Sequence, residues 1–272
     1  MNAITKLIIY ALALVVTSAN AQEFSGEATY KSHRKVDLKM DDNNANAALN
    51  EQIQEQLRKQ FQREYTLTFN QDESIYKQNE QLEAPAPASA NGFNIVVSQS
   101  TDIMYKNAKE NRYTNQTEIF GKQFLIKDTL TNRQWELVNE TKNIGVYTCF
   151  KAIFKDEVTT QTVNEKGELE SLKKERITSA WYTPQIPVNN GPEDFYGLPG
   201  LILEINDGDL TLVCTKIIIN PKEKVEIVEP KKGKEVTQKE FDEIMEKKNK
   251  EMMERFQSQR GDGKQMMIRI GG

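Results

Sequence analysis

The chain has 272 residues, with 36 basic and 40 acidic side chains and a formal net charge of −4. Charges of both signs are interspersed along the sequence, which argues against a nucleic-acid partner because such a partner requires a basic face. The single histidine cannot supply a multi-histidine metal site, and we expect no metal and no cofactor.

The first 21 residues have the three parts of a cleavable signal peptide. Lys6 supplies the positive region, residues 7–16 form an uninterrupted apolar run, and Ala19 to Ala21 give the small-x-small cleavage pattern. Ten apolar residues rise about 15 Å as a helix, roughly half of a bilayer core, so a membrane anchor fits less well. We expect a signal peptide at Met1–Ala21, a periplasmic or envelope location, and no transmembrane segment in the mature chain.

The remaining sequence predicts one β-rich domain over residues 22–257, followed by a flexible tail at 258–272. Short segments rich in Tyr, Phe, Ile, Val and Thr alternate with clusters of Asn, Asp, Gly and Lys, which is typical of a meandering antiparallel sheet. Strands are predicted near residues 24–30, 65–69, 74–76, 103–106, 112–119, 123–127, 134–139, 146–154, 176–182, 201–206 and 211–219. The Asp207-Gly208 pair between the last two favours a tight hairpin turn.

Two helices are predicted to pack against this sheet. In Ala45–Arg63 an apolar residue recurs every fourth position, which gives one stripe on a helix. Thr237–Gln257 begins with a capping box of Thr237 and Glu240. Because a sheet of this size cannot stay flat, we expect an α+β, mostly β fold: a large curved antiparallel sheet, half-barrel-like, with two packed helices.

The two cysteines, Cys149 and Cys214, each lie in an apolar segment that predicts a strand. Their wide spacing excludes a CxxC redox or zinc motif. Strand cysteines can pair in an oxidising compartment, or they can remain free as small buried hydrophobes. We expect both to be buried and unpaired.

The most informative stretch surrounds Gly197-Leu198-Pro199-Gly200-Leu201-Ile202. It resembles the GLPGLI family, exported proteins of Gram-negative bacteria that are named for this hexapeptide. Further segments resemble that family's usual words in their usual order: Phe124 to Asp128, Trp135, Glu140 to Lys142, Tyr147 to Ala152 and Ala180 to Tyr182. The resemblance implies a shared fold and export, and it implies no established activity.

The glycines of this hexapeptide lead into a β-hairpin, whereas a phosphate-cradling loop leads into a helix. A structural corner is therefore the favoured interpretation, and a ligand-lining loop is the alternative. The residues that would line such a site are Gly197, Leu198, Pro199, Gly200, Trp181 and Tyr182.

Catalytic arrangements are weakly supported. His33 has no Ser-containing nucleophile elbow to serve, and Cys149 lies in an apolar strand, where a thiol is inert. Several carboxylates surround the hexapeptide and could act as an acid and base pair: Glu193, Asp194, Glu204, Asp207 and Asp209. Glu193 lies in a polar turn, and we expect it to be exposed.

We therefore expect a non-enzymatic envelope protein that binds an apolar or peptide-like ligand, or an envelope partner, on the curved sheet. The alternative is a carboxylate-dependent hydrolase that acts on an envelope or nutrient polymer. An apolar concave face favours binding, while two converging carboxylates in a polar cleft favour catalysis.

Export gives the first testable prediction. N-terminal sequencing of the protein from the envelope fraction should give Gln22-Glu23-Phe24, because signal peptidase cleaves after the small-x-small pattern. A chain that retains Met1 in the cytoplasm would contradict it.

Overall fold

The computed structural model describes residues 24–34, 62–80, 102–119, 121–163, 169–223 and 225–259. The predicted signal peptide lies outside these ranges, as do residues 45–61 of the first predicted helix and residues 260–272 of the predicted tail. The fold below is that of the described residues.

Twelve strands form one open, mostly antiparallel sheet. The strands are β1 (Ser25–Arg34), β2 (Glu64–Asn70), β3 (Glu73–Gln78), β4 (Ile103–Asn107), β5 (Arg112–Ile119), β6 (Lys122–Thr129), β7 (Glu136–Ile144), β8 (Tyr147–Val163), β9 (Leu169–Thr183), β10 (Leu201–Asn206), β11 (Leu210–Ile219) and β12 (Lys234–Val236). Their order across the sheet is β12-β6-β5-β4-β3-β2-β1-β11-β10-β9-β8-β7. Every neighbouring pair is antiparallel except β12 and β6, which are parallel, so the predicted large antiparallel sheet is confirmed in its main feature.

The described residues contain one helix, not the two packed helices that the sequence predicts. This helix, α1, spans Gln238–Gln259, and the predicted capping box is present: the Thr237 N–H donates to Glu240 Oε2 at 2.8 Å, and the Glu240 N–H donates to Thr237 Oγ1 at 3.2 Å. Only its first turns pack on the sheet, through Phe241 and Ile244. The helix continues through Gln259, two residues past the end predicted for it at Gln257.

The other predicted helix, Ala45–Arg63, falls mainly outside the described ranges, but its last two residues are described and are not helical. Arg63 instead joins the sheet: the Ser32 N–H donates to Arg63 O at 2.8 Å, and the Arg63 N–H donates to Ser32 Oγ at 3.0 Å. The predicted end of the helix at Arg63 was therefore wrong, because the Arg63 backbone is hydrogen-bonded to Ser32 of β1.

Strands β8 and β9 are much longer than the sequence predicts, and they pair continuously from Phe150 with Tyr182 to Val163 with Leu169. The halves that pair towards Val163 and Leu169 have mostly polar sequences. The alternation of apolar residues that predicts a strand is therefore absent there. Cross-strand charges support this part of the ladder: Asp156 forms two hydrogen bonds with Arg176, at 3.1 and 2.5 Å.

Local turn chemistry was predicted more accurately. In the β10–β11 hairpin, Asp207 Oδ1 accepts the Leu210 N–H at 2.7 Å, and Gly208 adopts a φ of 98°. Cys149 and Cys214 are both buried and free, as predicted. Burial raises the pKa of the Cys149 thiol to about 11 and that of Cys214 to about 12, so both thiols are protonated and unreactive.

Strand β10 contributes to two apolar clusters, which makes it the centre of the fold. The larger cluster joins Leu201 and Leu203 to residues of β1, β2 and β3, and the smaller one joins Ile202 and Ile205 to residues of β8, β9 and β11. The buried Tyr30 hydroxyl of β1 donates to the backbone oxygen of Ile202 at 2.7 Å. Side chains from both sides therefore fix the strand that follows the hexapeptide glycines.

Gly200→Val should destabilise the protein. A Cβ on Gly200 would lie 2.2 Å from the backbone oxygen of Thr183, and Thr183 pairs with Leu201 at the start of β10. Because the clash is with backbone, the strands must shift, and we expect a loss of about 1 to 3 kcal/mol, or several degrees in melting temperature.

Gly208→Val is the matched control. Gly208 also has a positive φ, but a Cβ there meets nothing within 4 Å, so the control carries only backbone strain of about 1 kcal/mol. Equal thermal melts for the two variants would show that the close approach at Gly200 is not a constraint.

Candidate functional site

The signature loop, residues 184–200, connects β9 to β10 and lies against strands at the other side of the sheet. Within it, Ile186 O accepts the Leu201 N–H at 2.9 Å. Asn190 reaches β3, where the Ser74 hydroxyl donates to Asn190 Oδ1 at 3.1 Å. The loop is therefore held at its own base and at a strand that is distant in the sequence.

Lys106 on β4 makes a deeply buried contact with the loop. Its side chain is 1% exposed, and Nζ donates to the backbone oxygens of Gly191 at 2.7 Å and Phe195 at 3.1 Å. Burial lowers the pKa of Lys106 to about 7, and the nearby Asp194 carboxylate partly opposes that shift. The two carbonyls supply the hydrogen bonds that a buried amine requires.

Residues of the connection between β6 and β7 also contact the loop. The Arg133 guanidinium pairs with the Asp194 carboxylate and lies over the Phe195 ring, 4.6 Å from its centroid. The Trp135 indole N–H donates to Tyr196 O at 2.9 Å. These contacts fix the backbone of residues 194–196 from the side opposite Lys106.

The structure does not bring the six predicted loop-site residues together as one open site. Leu198 and Tyr182 are buried in the smaller apolar cluster, whereas Trp181 packs against the larger one. Gly197 and Pro199 are exposed, and Gly200 is buried against β9. This arrangement agrees with the favoured interpretation of the hexapeptide as a structural corner.

Most of the predicted carboxylates are already engaged. Glu204 pairs with Lys142 at 2.7 Å, Asp194 pairs with Arg133, and Asp207 caps its own turn. Asp209 is exposed in that turn. Among the described residues, no group of His, Cys, Asp and Glu side chains has the arrangement of a metal site.

Glu193 differs from the other carboxylates, and its expected exposure was wrong. It is partly buried, and its backbone has a φ of 49°, which is uncommon for a residue other than glycine. Burial raises the pKa of Glu193 to about 7, and the negative charges of Asp194 and Asp207 add to the shift, while Arg34 and Lys106 oppose it. A carboxyl group that titrates near neutrality in a strained loop is a recognised indicator of function.

Next to Glu193, three side chains form what we call the unpaired cluster: Tyr76, Gln78 and Asn115. The Tyr76 hydroxyl, both amide atoms of Gln78 and Oδ1 of Asn115 are buried and have no hydrogen-bond partner in the described part of the chain. Burial raises the pKa of Tyr76, and Glu193 is the charged group that adds most to this shift. A buried polar atom that lacks a hydrogen bond costs roughly 1 to 3 kcal/mol.

Strand register places this cluster on one face of the sheet. Tyr76 pairs with Met104, and Met104 pairs with Asn115. Directly paired residues of neighbouring strands point to the same side, and so does Gln78, two residues beyond Tyr76. Tyr65, the partner of Gln78, stacks on Tyr76 with ring centroids 5.1 Å apart.

A cavity of about 180 Å³ adjoins this face. It lies between β4, β5, the signature loop and the start of α1, and it is lined by Met104, Tyr113, Leu130, Thr131, Asp194 and Gln238. Met104 stands in the same register row as Tyr76 and Asn115. The signature loop thus covers a face that combines aromatic rings, unpaired polar atoms and a small cavity.

Sequence reasoning missed this site. Tyr76 and Asn115 lie in predicted strands, but their shared face depends on the register of β3, β4 and β5. Lys106 is the last residue of a predicted strand. The only signal in the sequence that could have indicated its role is a charged side chain in a strand that is otherwise apolar. Glu193 carried no such signal.

One family model matches the chain. It is described as a protein of unknown function (Porph_ging), and it covers residues 135–204. The matched region includes β7 to β10, the signature loop with its hydrogen bond from Trp135 to Tyr196, and the ion pair of Lys142 on β7 with Glu204 on β10. The GLPGLI name remains a resemblance, and an uncharacterised family agrees with it.

No curated protein matches the sequence. Among solved structures, the chain is similar to PNGF-II in two crystal forms, in space groups C2 and P21, with TM-scores of 0.46 and 0.47 and sequence identities of 14% and 13%. The match covers 81% of this chain and 32% of PNGF-II, so this chain spans about a third of the length of that protein. No functional correspondence follows from a likeness this distant.

Glu193→Gln removes the titratable carboxyl group and keeps the shape of the side chain. Because the pKa of Glu193 is raised from 4.5 to about 7, the folded state holds its proton more tightly than the unfolded chain does. That contribution to stability is present below about pH 4.5 and is lost as pH rises through 7. The variant has no proton to lose, so its melting temperature relative to the parent should increase by several degrees over this range and then level off.

Thermal melts of both proteins from about pH 4 to 8 measure this difference. Lys106 is present in both proteins, so its own titration largely cancels. Glu118→Gln, at an exposed carboxylate of β5, is the matched control and should follow the parent throughout. A constant difference between Glu193→Gln and the parent would mean that Glu193 is not desolvated.

Proposed function

We propose that this chain is an exported, non-enzymatic envelope protein that binds a ligand on the sheet face beneath the signature loop. The observation that carries the proposal is the unpaired cluster of Tyr76, Gln78 and Asn115 beside a cavity. A face whose polar atoms have no partners among the described residues is suited to a further partner.

A curved, half-barrel-like sheet would suit this role, because curvature turns one face into a concave surface. The lining of the candidate face is mixed, with Tyr65, Tyr76 and Met104 supplying apolar area and Gln78 and Asn115 supplying polar atoms. Such a surface favours a peptide-like ligand or a protein segment over a purely apolar one.

Export rests on the tripartite N-terminus. Across the described ranges, no helix combines the length and apolar character needed to cross a membrane.

One observation favours the alternative of a carboxylate-dependent hydrolase acting on an envelope or nutrient polymer. With its pKa near 7, Glu193 could act as a general acid. Acid and base catalysis of this kind needs a second, available carboxylate, and the nearest one, Asp194, is paired with Arg133. Binding is therefore the better supported proposal.

Native mass spectrometry of the mature chain, isolated under mild conditions from the envelope fraction, tests the proposal. We expect an additional non-covalent mass that is released when the protein is denatured. Asn115→Leu removes one unpaired acceptor of the site and should reduce the fraction of protein that carries this mass. Gln123→Met, at an exposed position of β6, should not.

A chain that carries no additional mass, yet cleaves an envelope polymer in a way that Glu193→Gln abolishes, would overturn the proposal in favour of the hydrolase.

A further inference from the structure

We infer that the exposed edge of β7 is a docking site for the C-terminal segment of a second copy of this chain, residues 264–270, which adds to the sheet as a further strand. This inference does not rest on the ligand site proposed above. It follows from the edge of β7, the exposed apolar side chains beside it, and the sequence of the tail.

β7 is the last strand of the sheet, and within the described ranges it pairs only with β8. Six of its nine residues are exposed. A strand with a neighbour on one side leaves a row of backbone N–H and C=O groups pointing outwards, and such an edge is a template for another strand. The edge strand at the other end, β12, has three residues, so β7 is the edge that offers enough length for a seven-residue segment.

Exposed apolar side chains are concentrated at this end of the sheet. Of the seven large apolar side chains that are exposed in the described part of the chain, five lie between residues 137 and 177, and Leu137 is 66% and Phe150 40% exposed. Leu137 pairs with Ala152, which is two residues from Phe150 on β8, so both exposed side chains lie on the same face. A strand added to β7 would cover part of this apolar surface.

The C-terminal tail contains a segment that matches this edge. Residues 264–270 read Lys-Gln-Met-Met-Ile-Arg-Ile, with apolar residues at every second position from 266 to 270, two positive charges and no negative charge. In an antiparallel alignment, Arg269 can stand opposite the exposed carboxylate of Glu136. The same alignment sets Ile268 opposite Leu137. An opposite-charge pair and an apolar pair therefore follow one another along the edge, and each stabilises strand pairing.

A bulge in β7 makes the match selective. The register of β7 against β8 shifts between Val138 and Thr141, and a bulge bends an edge strand so that indiscriminate pairing is disfavoured. The charge pair and the apolar pair both lie before this bulge, at residues 136–138, where β7 pairs regularly with β8. A partner strand must match these residues as well as the bend.

The helix that precedes the tail favours a second copy over the same chain. α1 packs on the sheet through Phe241 and Ile244, in its first two turns, and its residues 245–259 extend about 22 Å further. Residues 260–263 span at most about 14 Å, so residue 264 cannot return to the point where α1 leaves its own sheet. Exchange of the tails between two copies would give a closed dimer with two identical contacts.

Analytical ultracentrifugation of the mature chain from Gln22, over a range of concentrations, tests the inference. We expect a monomer–dimer equilibrium that is lost when the chain ends at Gln259, a truncation that keeps every described residue. Leu137→Asp should weaken dimerisation at least tenfold, because a charge replaces the apolar contact. Leu172→Asp, at another exposed leucine, on β9, is the matched control and should dimerise like the parent.

Charge reversal identifies the chain that supplies the tail. Glu136→Arg and Arg269→Glu should each weaken dimerisation, because like charges then face each other. In an equimolar mixture of these two variants, each tail matches the edge of the other variant, so dimerisation should recover. A mixture that dimerises no better than either variant alone would overturn the exchange between copies.

A monomeric parent would also overturn the inference. If its melting temperature then fell on truncation at Gln259, the segment would belong to the edge of its own chain; if the melting temperature stayed the same, the segment would have no place on the sheet. A dimer that survives the truncation, or that Leu137→Asp leaves unchanged, would place the contact elsewhere on the molecule and overturn the inference as well.

Discussion

The fold around the candidate site depends on a buried lysine. Lys106 stands on β4, and its amine is taken out of water and held by the carbonyl oxygens of Gly191 and Phe195. A buried amine without such partners would cost several kcal/mol, so the loop carbonyls and the lysine require each other. This mutual requirement keeps a long irregular connection on the sheet and fixes the backbone on either side of Glu193.

The hexapeptide and the turn that precedes it make different contacts. Leu198 and Gly200, from the hexapeptide, belong to the core and to the close approach of β9 and β10. In the preceding turn, Asp194 lines the cavity, and Glu193 lies close enough to Tyr76 to raise its pKa. The hexapeptide is therefore held by the core, and the preceding turn is held by Lys106 and Arg133.

The features that could be predicted from the sequence are those that depend on residues close together along the chain. The central strands, the Asp207-Gly208 turn and the Thr237 capping box were found because each is specified within a few residues. The outer half of the β8–β9 pair was missed because its polar residues are stabilised across strands. Lys106 and the loop carbonyl of Gly191 are 85 residues apart, so no local pattern could show that the loop folds onto β4 and buries Glu193.

Two groups of the site with opposite charges, Lys106 and Glu193, both have shifted pKa values. Burial lowers the pKa of Lys106 and raises the pKa of Glu193, and both reach about 7. Below that pH the amine is charged and the carboxyl is neutral; above it the amine is neutral and the carboxylate is charged. The Arg133–Asp194 pair contributes no net charge in either case. The charge states of these two groups thus change near neutrality, while Arg34 contributes a further positive charge near Glu193.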